Sequence, residues 1–289
     1  MRLSIFSFKN PLVLTLLIVL GLTVLYVLII QLSKPSISFT QNQYQANMVF
    51  AQDFVYLKDK PSHIIIGSSM ATHMKFDKNA DVYNLAFGGG GPLTGLEIIR
   101  RSGYIPKVIY IESNVFTMNS DNVFLESLFP LVLFEMRGHV IALQEKYQLL
   151  NLVGESLYRL AGRSQAEKLH QKVDKVLLDK LVNSALRKDH VLVLKDKESL
   201  LRTWHTNIDY FLQYQTKIVF FEMPNDPRLV QIKSRQELRA LIKDEFPNIV
   251  FMLEDNVDGK YETGDGTHLT MKSAKMYSQY FKDTIMLEQ

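Results

Sequence analysis

The run from Pro11 to Ile30 carries no charge and consists almost entirely of Leu, Val, Ile and Thr. As a helix, about 20 residues span roughly 30 Å, the thickness of a bilayer's hydrocarbon core. A helix on the surface of a soluble domain would show a polar face, and this run shows none. A cleaved signal peptide is the rival reading, but its apolar stretch is normally shorter and ends at small residues flanking a cleavage site. Here Gln31-Leu32-Ser33-Lys34 follows instead, so the run reads as an uncleaved transmembrane anchor. Arg2 and Lys9 precede it and only Lys34 follows closely. The positive-inside bias then puts the N-terminus in the cytosol and the rest of the chain outside it. The expected product is a single-pass protein of the cytoplasmic membrane with an extracytoplasmic (periplasmic or extracellular) domain.

Composition narrows what that domain can be. At 47% hydrophobic and 22% charged residues it can bury a core, which disordered chains cannot do. The net charge is only +3 and no Lys/Arg stripe is interleaved with aromatics, so no nucleic-acid partner is expected. There are no cysteines, which excludes disulfides, thiolate metal sites and a cysteine nucleophile.

Residues 1–32 form the cytosolic tip and anchor, and residues 33–60 a polar stalk with a first helix over Tyr44 to Leu57. From residue 61 onward the pattern changes. Short apolar runs at His63 to Ile66, Val82 to Ala86, Val108 to Ile111, Lys217 to Phe221 and Ile249 to Leu253 are stopped by Gly, Pro or Asn. They read as buried strands. Helical patterns at Leu93 to Ser102, Ser234 to Glu245 and Met271 to Phe281 lie between and after them. Strands alternating with helices imply a parallel sheet covered on both faces, whose active site lies beyond the carboxyl ends of the strands. Residues 118–213 break the alternation and read as a helical insertion with turn signals near Gly154, Gly162 and Ser164. Val191 to Leu194 is a strand or a helix start.

The strand ends hold the residues that can do chemistry. The first ends in Gly67-Ser68-Ser69. A serine at a strand-to-helix turn presents its hydroxyl at the sheet edge, near free backbone N–H groups. The same letters also make an ordinary turn or helix cap. The second ends in Gly88-Gly89-Gly90-Gly91-Pro92, which permits close backbone approach to a ligand or is a plain loop. It lacks the Gly-Lys-Ser/Thr of a phosphate-binding loop. After the third, Asn114 can donate an amide to developing negative charge or cap a turn. Before the last helix stands Gly264-Asp265-Gly266-Thr267-His268. An Asp three residues before a His can orient the imidazole, which then acts as general base. The alternative is a polar surface loop. His73, four residues after Ser69, competes for the base, but a helix there would carry it away from Ser69. His139, His170, His190 and His205 fall in the helical insertion and read as surface or packing residues. No second His or carboxylate stands at ligand spacing near His268, so neither metal nor cofactor is expected.

In order and approximate spacing these blocks resemble the SGNH (GDSL-like) hydrolases over residues 61–120 and 215–285: Gly-Ser-Ser, Asn84 with Gly89, Asn114, and Asp-Gly-Thr-His. The resemblance implies a flavodoxin-like three-layer α/β/α sandwich with a parallel sheet, carrying the helical insertion and preceded by the transmembrane helix. It implies Ser69 as nucleophile and His268 as base oriented by Asp265. The oxyanion hole would come from the Ser69 backbone, the Gly89 backbone and the Asn114 side chain. Ser68 stands where the family usually has Asp, and Glu112 and Val115 replace its usual Gly and Asp. Similar departures occur in the membrane-anchored branch resembling DltD and alginate O-acetylation proteins. Those act on acyl groups of envelope polymers, often beside a membrane-bound O-acyltransferase.

The expectation is therefore an extracytoplasmic serine esterase or O-acyltransferase working on acyl esters of envelope glycans, with a membrane-bound O-acyltransferase as a possible partner. The alternative keeps the fold without strong catalysis, as a partner or glycan-binding subunit that docks through the insertion. A tethered scaffold is a third class.

Overall fold

The computed structural model describes residues 10–77, 80–161, 173–189, 194, 196–253 and 256–286. In chain order the elements are α1 (Pro11–Ser33), α2 (Gln43–Val55), β1 (His63–Gly67), β2 (Val82–Ala86), α3 (Pro92–Arg101), β3 (Val108–Glu112), α4 (Asn122–Leu128), α5 (Leu131–His139), α6 (Leu149–Leu160), α7 (Lys175–Arg187), α8 (Lys197–Leu212), β4 (Lys217–Phe221), α9 (Lys233–Glu245), β5 (Val250–Met252) and α10 (Met271–Tyr280). Val191 to Val193 lie outside the described residues, as do Gly162, Ser164, His170 and His190. The chain forms two compact units, one of residues 1–52 with 127–164, the other of residues 53–126 with 165–289.

In the first unit, α1 is long and apolar enough to cross a membrane, a test that anchors and signal sequences both pass. Its ends follow from local chemistry. The Asn10 side chain accepts from the Leu12 N–H at 3.0 Å and Pro11 takes the first helical position, where no donor is needed. Lys34 turns left-handed, φ +43°, and closes the helix on the Ile30 carbonyl. The hydroxyls of Thr15, Thr23 and Ser33 donate back to the carbonyls of Pro11, Val19 and Ile29 at 2.7–2.8 Å. No polar group within the span is then left without a bond in an apolar surrounding.

The second unit is a five-stranded parallel sheet of order β2-β1-β3-β4-β5 with helices on both sides. Order 2-1-3-4-5 is that of flavodoxin-like sheets, which bind ligands where the strand order reverses, here between β1 and β3. Successive strand residues face opposite sides. Ile65, Tyr110, Val219 and Phe221 belong to one buried cluster with Ala274, Tyr277 and Phe281 from α10 and the turn after it. On the other face, Phe220 meets Trp204 of α8 and Phe246 after α9, at ring-centre distances of 6.2 and 5.6 Å. Trp204 also stacks on Phe116 at 4.4 Å.

Within the helical stretch over 118–213, α8 lies against the sheet. Trp204, Ile208 and Phe211 of α8 are fully buried, one helical face packed on the sheet. Thus α8 is the crossover between β3 and β4, belonging to the sandwich itself. Residues 127–164 group with the anchor instead. The first helix expected over Tyr44 to Leu57 is α2, which buries Met48, Ala51 and Phe54.

Candidate active site

β1 and β3 are neighbours, and their carboxyl ends build the site. Gly67 ends β1 against Glu112, the last residue of β3. A Cβ at Gly67 would overlap the Glu112 carboxylate and come within 2.8 Å of its Cβ, so only glycine fits beside this side chain. Glu112 is completely buried. It accepts from the Ser68 N–H at 2.6 Å and from the Ser68 hydroxyl at 2.9 Å. Burial pushes its pKa up to about 7, although the Ser68 bonds, the Ala71 N–H and the charge of His268 all work the other way. Ser68 in turn accepts from the Met70 N–H. The turn is held from the β2 side by Asn84, which donates to the carbonyls of Ala71 and Met74 at 2.8 and 3.1 Å. Together these contacts fix the backbone on both sides of Ser69.

Asp265 and His268 come from the loop before α10. That loop closes on itself through a bridge between Thr263 and Leu269 and a 2.8 Å bond from the Gly264 N–H to the His268 carbonyl. One Asp265 oxygen accepts from the N–H groups of Thr267 and His268 at 2.9 and 2.8 Å, the turn that a short acidic side chain favours. Gly266 sits at φ +98°, and a Cβ there would come within 2.8 Å of Val182, so the turn needs glycine.

The structure brings Ser69, His268 and Asp265 into a chain. Ser69 Oγ lies 2.7 Å from His268 Nε2, and His268 Nδ1 lies 2.7 Å from Asp265 Oδ2. All three are part-buried, with the His268 side chain 36% exposed, so solvent reaches the site. The hydrogen bond to Asp265 raises the pKa of His268 against partial burial, with smaller help from Glu112. Burial works to raise Asp265, but its bonds from the His268 ring, the His268 N–H and the Thr267 N–H outweigh this and hold it well below the usual carboxylate range. The carboxylate thus stays ionised and fixes the tautomer that leaves Nε2 free to take a proton.

The other named donors are placed differently. The N–H groups of Ser69 and Gly89 have no acceptor among the described residues, and Gly89 turns left-handed at φ +69°. They follow adjacent strands paired from His63↔Val82 to Gly67↔Ala86. Asn114 is engaged with the backbone of Met223, donating to its carbonyl at 3.0 Å and accepting its N–H at 2.7 Å. One amide hydrogen remains, but no contact joins Asn114 to Ser69 or His268 among the described residues. It lines a neighbouring cavity of about 230 Å³ with Ser113, Glu222, Arg235 and Arg239.

His73 is not carried away from the site, as a helix after Ser69 would have done. The chain makes only a short 3-10 turn over Ala71–His73, and the His73 ring lies 6.4 Å from that of His268. Its Nδ1 is buried without a hydrogen-bond partner among the described residues, and burial lowers its pKa. His205 packs on Phe246 and pairs with Glu245. Glu112 entered the sequence reading only as a departure from a pattern. The available signal was a carboxylate ending a fully apolar strand, where a charge requires a reason.

No family model matches the chain, and no curated protein matches it. A solved structure provisionally described as a platelet activating factor from Streptococcus pneumonia is similar over 83% of this chain and 92% of its own, at 12% identity and a TM-score of 0.40.

Proposed function

We propose that the chain is a membrane-anchored serine esterase or O-acyltransferase acting on acyl esters of envelope glycans. The observation that carries this reading is the Ser69–His268–Asp265 chain, two hydrogen bonds of 2.7 Å in series at the carboxyl ends of the strands. His268 Nε2 takes the Ser69 proton as Oγ attacks the ester carbonyl carbon. The oxyanion forms beside the N–H groups of Ser69 and Gly89, with the remaining Asn114 amide hydrogen as a third donor. Collapse breaks the ester C–O bond, and His268 returns the proton to the leaving alcohol. Water, or a sugar hydroxyl, then attacks the acyl-enzyme by the same route and frees Ser69. The excess of Arg2 and Lys9 over Lys34 supports an extracytoplasmic site, where such glycans lie. A membrane-bound O-acyltransferase as donor partner belongs to the same proposal.

The second reading is a weakly catalytic partner or glycan-binding subunit of such a system. The two hydrogen bonds between Asn114 and the Met223 backbone favour it, because they leave only one amide hydrogen of Asn114 for an oxyanion. Turnover of 4-nitrophenyl acetate and release of acetate from acetylated glycan, by the full chain in detergent, separate the two. Activity lost in Ser69→Ala and in His268→Ala supports the esterase. Glycan binding without turnover in the unaltered chain overturns it in favour of the binding subunit.

A further inference from the structure

Residues 127–164 are not absorbed by the proposed chemistry, and they group with α1 rather than with the sheet. The contacts that join them to α1 fall at one level of the helix. The Tyr26 hydroxyl donates to the Tyr147 carbonyl. The Gln31 side chain donates to the His139 carbonyl at 3.3 Å and accepts from the Ile141 N–H at 3.2 Å. Ile30, Ile37 and Tyr147 form a small core on which Tyr26, Ile141 and Leu152 pack. Tyr26 is seven residues before the end of α1 at Ser33, about 10 Å along the axis. A span needs about 20 residues, and counted from Pro11 the hydrocarbon boundary falls near Ile30. The segment between α5 and α6 is thus fastened to α1 where it leaves the hydrocarbon.

One flanking helix, α6, carries an apolar face that nothing among the described residues covers. On α6, Leu149, Leu150, Val153, Leu157 and Leu160 are 55–84% exposed. At about 100° per residue these five fall within roughly one quarter of the circumference. The opposite face is the one tied to the protein. Glu155 accepts from the N–H groups of Ser38 and Phe39, both at 2.9 Å, and Arg159 donates to the Ser36 carbonyl at 2.9 Å. Asn151 is buried and bonded to Glu145.

A helix polar on its protein side and apolar outward, held at the level where a span emerges, has the pattern of an interfacial helix. We propose that α6 lies in the membrane surface beside the exit of α1, its outward Leu and Val side chains buried in the boundary between headgroups and acyl chains. The occupant of this face is the bilayer itself, because the segment that leads into α6 is fastened to α1 at the level where α1 leaves the hydrocarbon. The residues 127–164 then fix how the anchor emerges instead of leaving a single free helix. This rests on α1 crossing the bilayer and not on the chemistry of Ser69.

The chain has no cysteine, so single cysteines can be introduced without background. Nitroxide labels at Leu150, Val153 and Leu157, with Arg159 on the polar face and Leu20 in mid-span as references, are read in the full chain in vesicles of phosphatidylcholine and phosphatidylglycerol. The ratio of collisions with oxygen to collisions with an aqueous nickel chelate reports lipid exposure. The expected ratio is several-fold higher at each of the three apolar positions than at Arg159, approaching that at Leu20. Water-like ratios at all three with a lipid-like Leu20 overturn the proposal and leave the span standing. Weak collisions with both reagents overturn it in favour of a protein partner, including a second copy. A water-like Leu20 overturns the span and the proposal together.

Discussion

Replacing Glu112 by Gln removes a charge and almost nothing else, since the amide keeps the size of the side chain and an acceptor for the Ser68 N–H. Glu112 is fully buried, and its pKa rises from an ordinary 4.5 to about 7. At about 1.4 kcal/mol per tenfold change in proton affinity, that displacement is worth about 3 kcal/mol. The sign follows from the direction. Below pH 4.5 the group is neutral both folded and unfolded, and no penalty exists. As pH rises from there through 7, the unfolded chain ionises freely while the folded chain must bury a carboxylate, so stability is lost. The Gln variant has no such loss. Its stability relative to the unaltered chain should therefore grow by about 3 kcal/mol between pH 4.5 and pH 8. Trp204 is the one tryptophan, buried and stacked on Phe116, so its fluorescence follows unfolding of the sheet unit in urea. An equal difference between variant and unaltered chain at both ends of that range would mean that Glu112 carries no such burial penalty.

Three further outcomes follow. The pH profile of ester turnover should rise through an inflection above 6.5, because Asp265 raises the pKa of His268 and only neutral His268 accepts the serine proton; an inflection below 6.5 contradicts that coupling. In Glu112→Gln the same inflection should move down, since Glu112 contributes to the rise, and an unmoved inflection shows that the two groups do not communicate. Asn114→Ala should lower turnover on the order of 100-fold if the remaining amide hydrogen meets the oxyanion; unchanged turnover, with the fold intact, restricts Asn114 to holding Met223.

The sheet was largely legible in the sequence because its strands are short apolar runs cut off by Gly, Pro or Asn, and observed strand ends lie within a residue or so of those runs. The residues now found in one hydrogen-bonded chain, Ser69, Asp265 and His268, were legible because two of them sit three apart in a turn motif and the third lies just past a strand end. What stayed hidden depended on contacts between distant segments. Trp204, Ile208 and Phe211 are an ordinary amphipathic face until the sheet surface that buries them is known. Glu112 is only a carboxylate at a strand end until pairing of β1 with β3 brings it beside Gly67, 45 positions earlier in the chain by direct count. The role of residues 139–147 could not be read, because their partners are Tyr26 and Gln31 on a helix that by composition alone looks like a free anchor. His73 was misplaced because a short 3-10 turn, which propensity does not distinguish from a first helical turn, took the place of a helix.

In the proposed chemistry His268 activates Ser69. Treating the full chain in detergent with a fluorophosphonate, and locating the modified residue by mass spectrometry, tests it directly. Modification is expected at Ser69, in a chain with no competing cysteine, and is expected to be lost in His268→Ala. A folded, unaltered chain that leaves Ser69 unmodified, or a His268→Ala variant modified as fast as the unaltered chain, would contradict it.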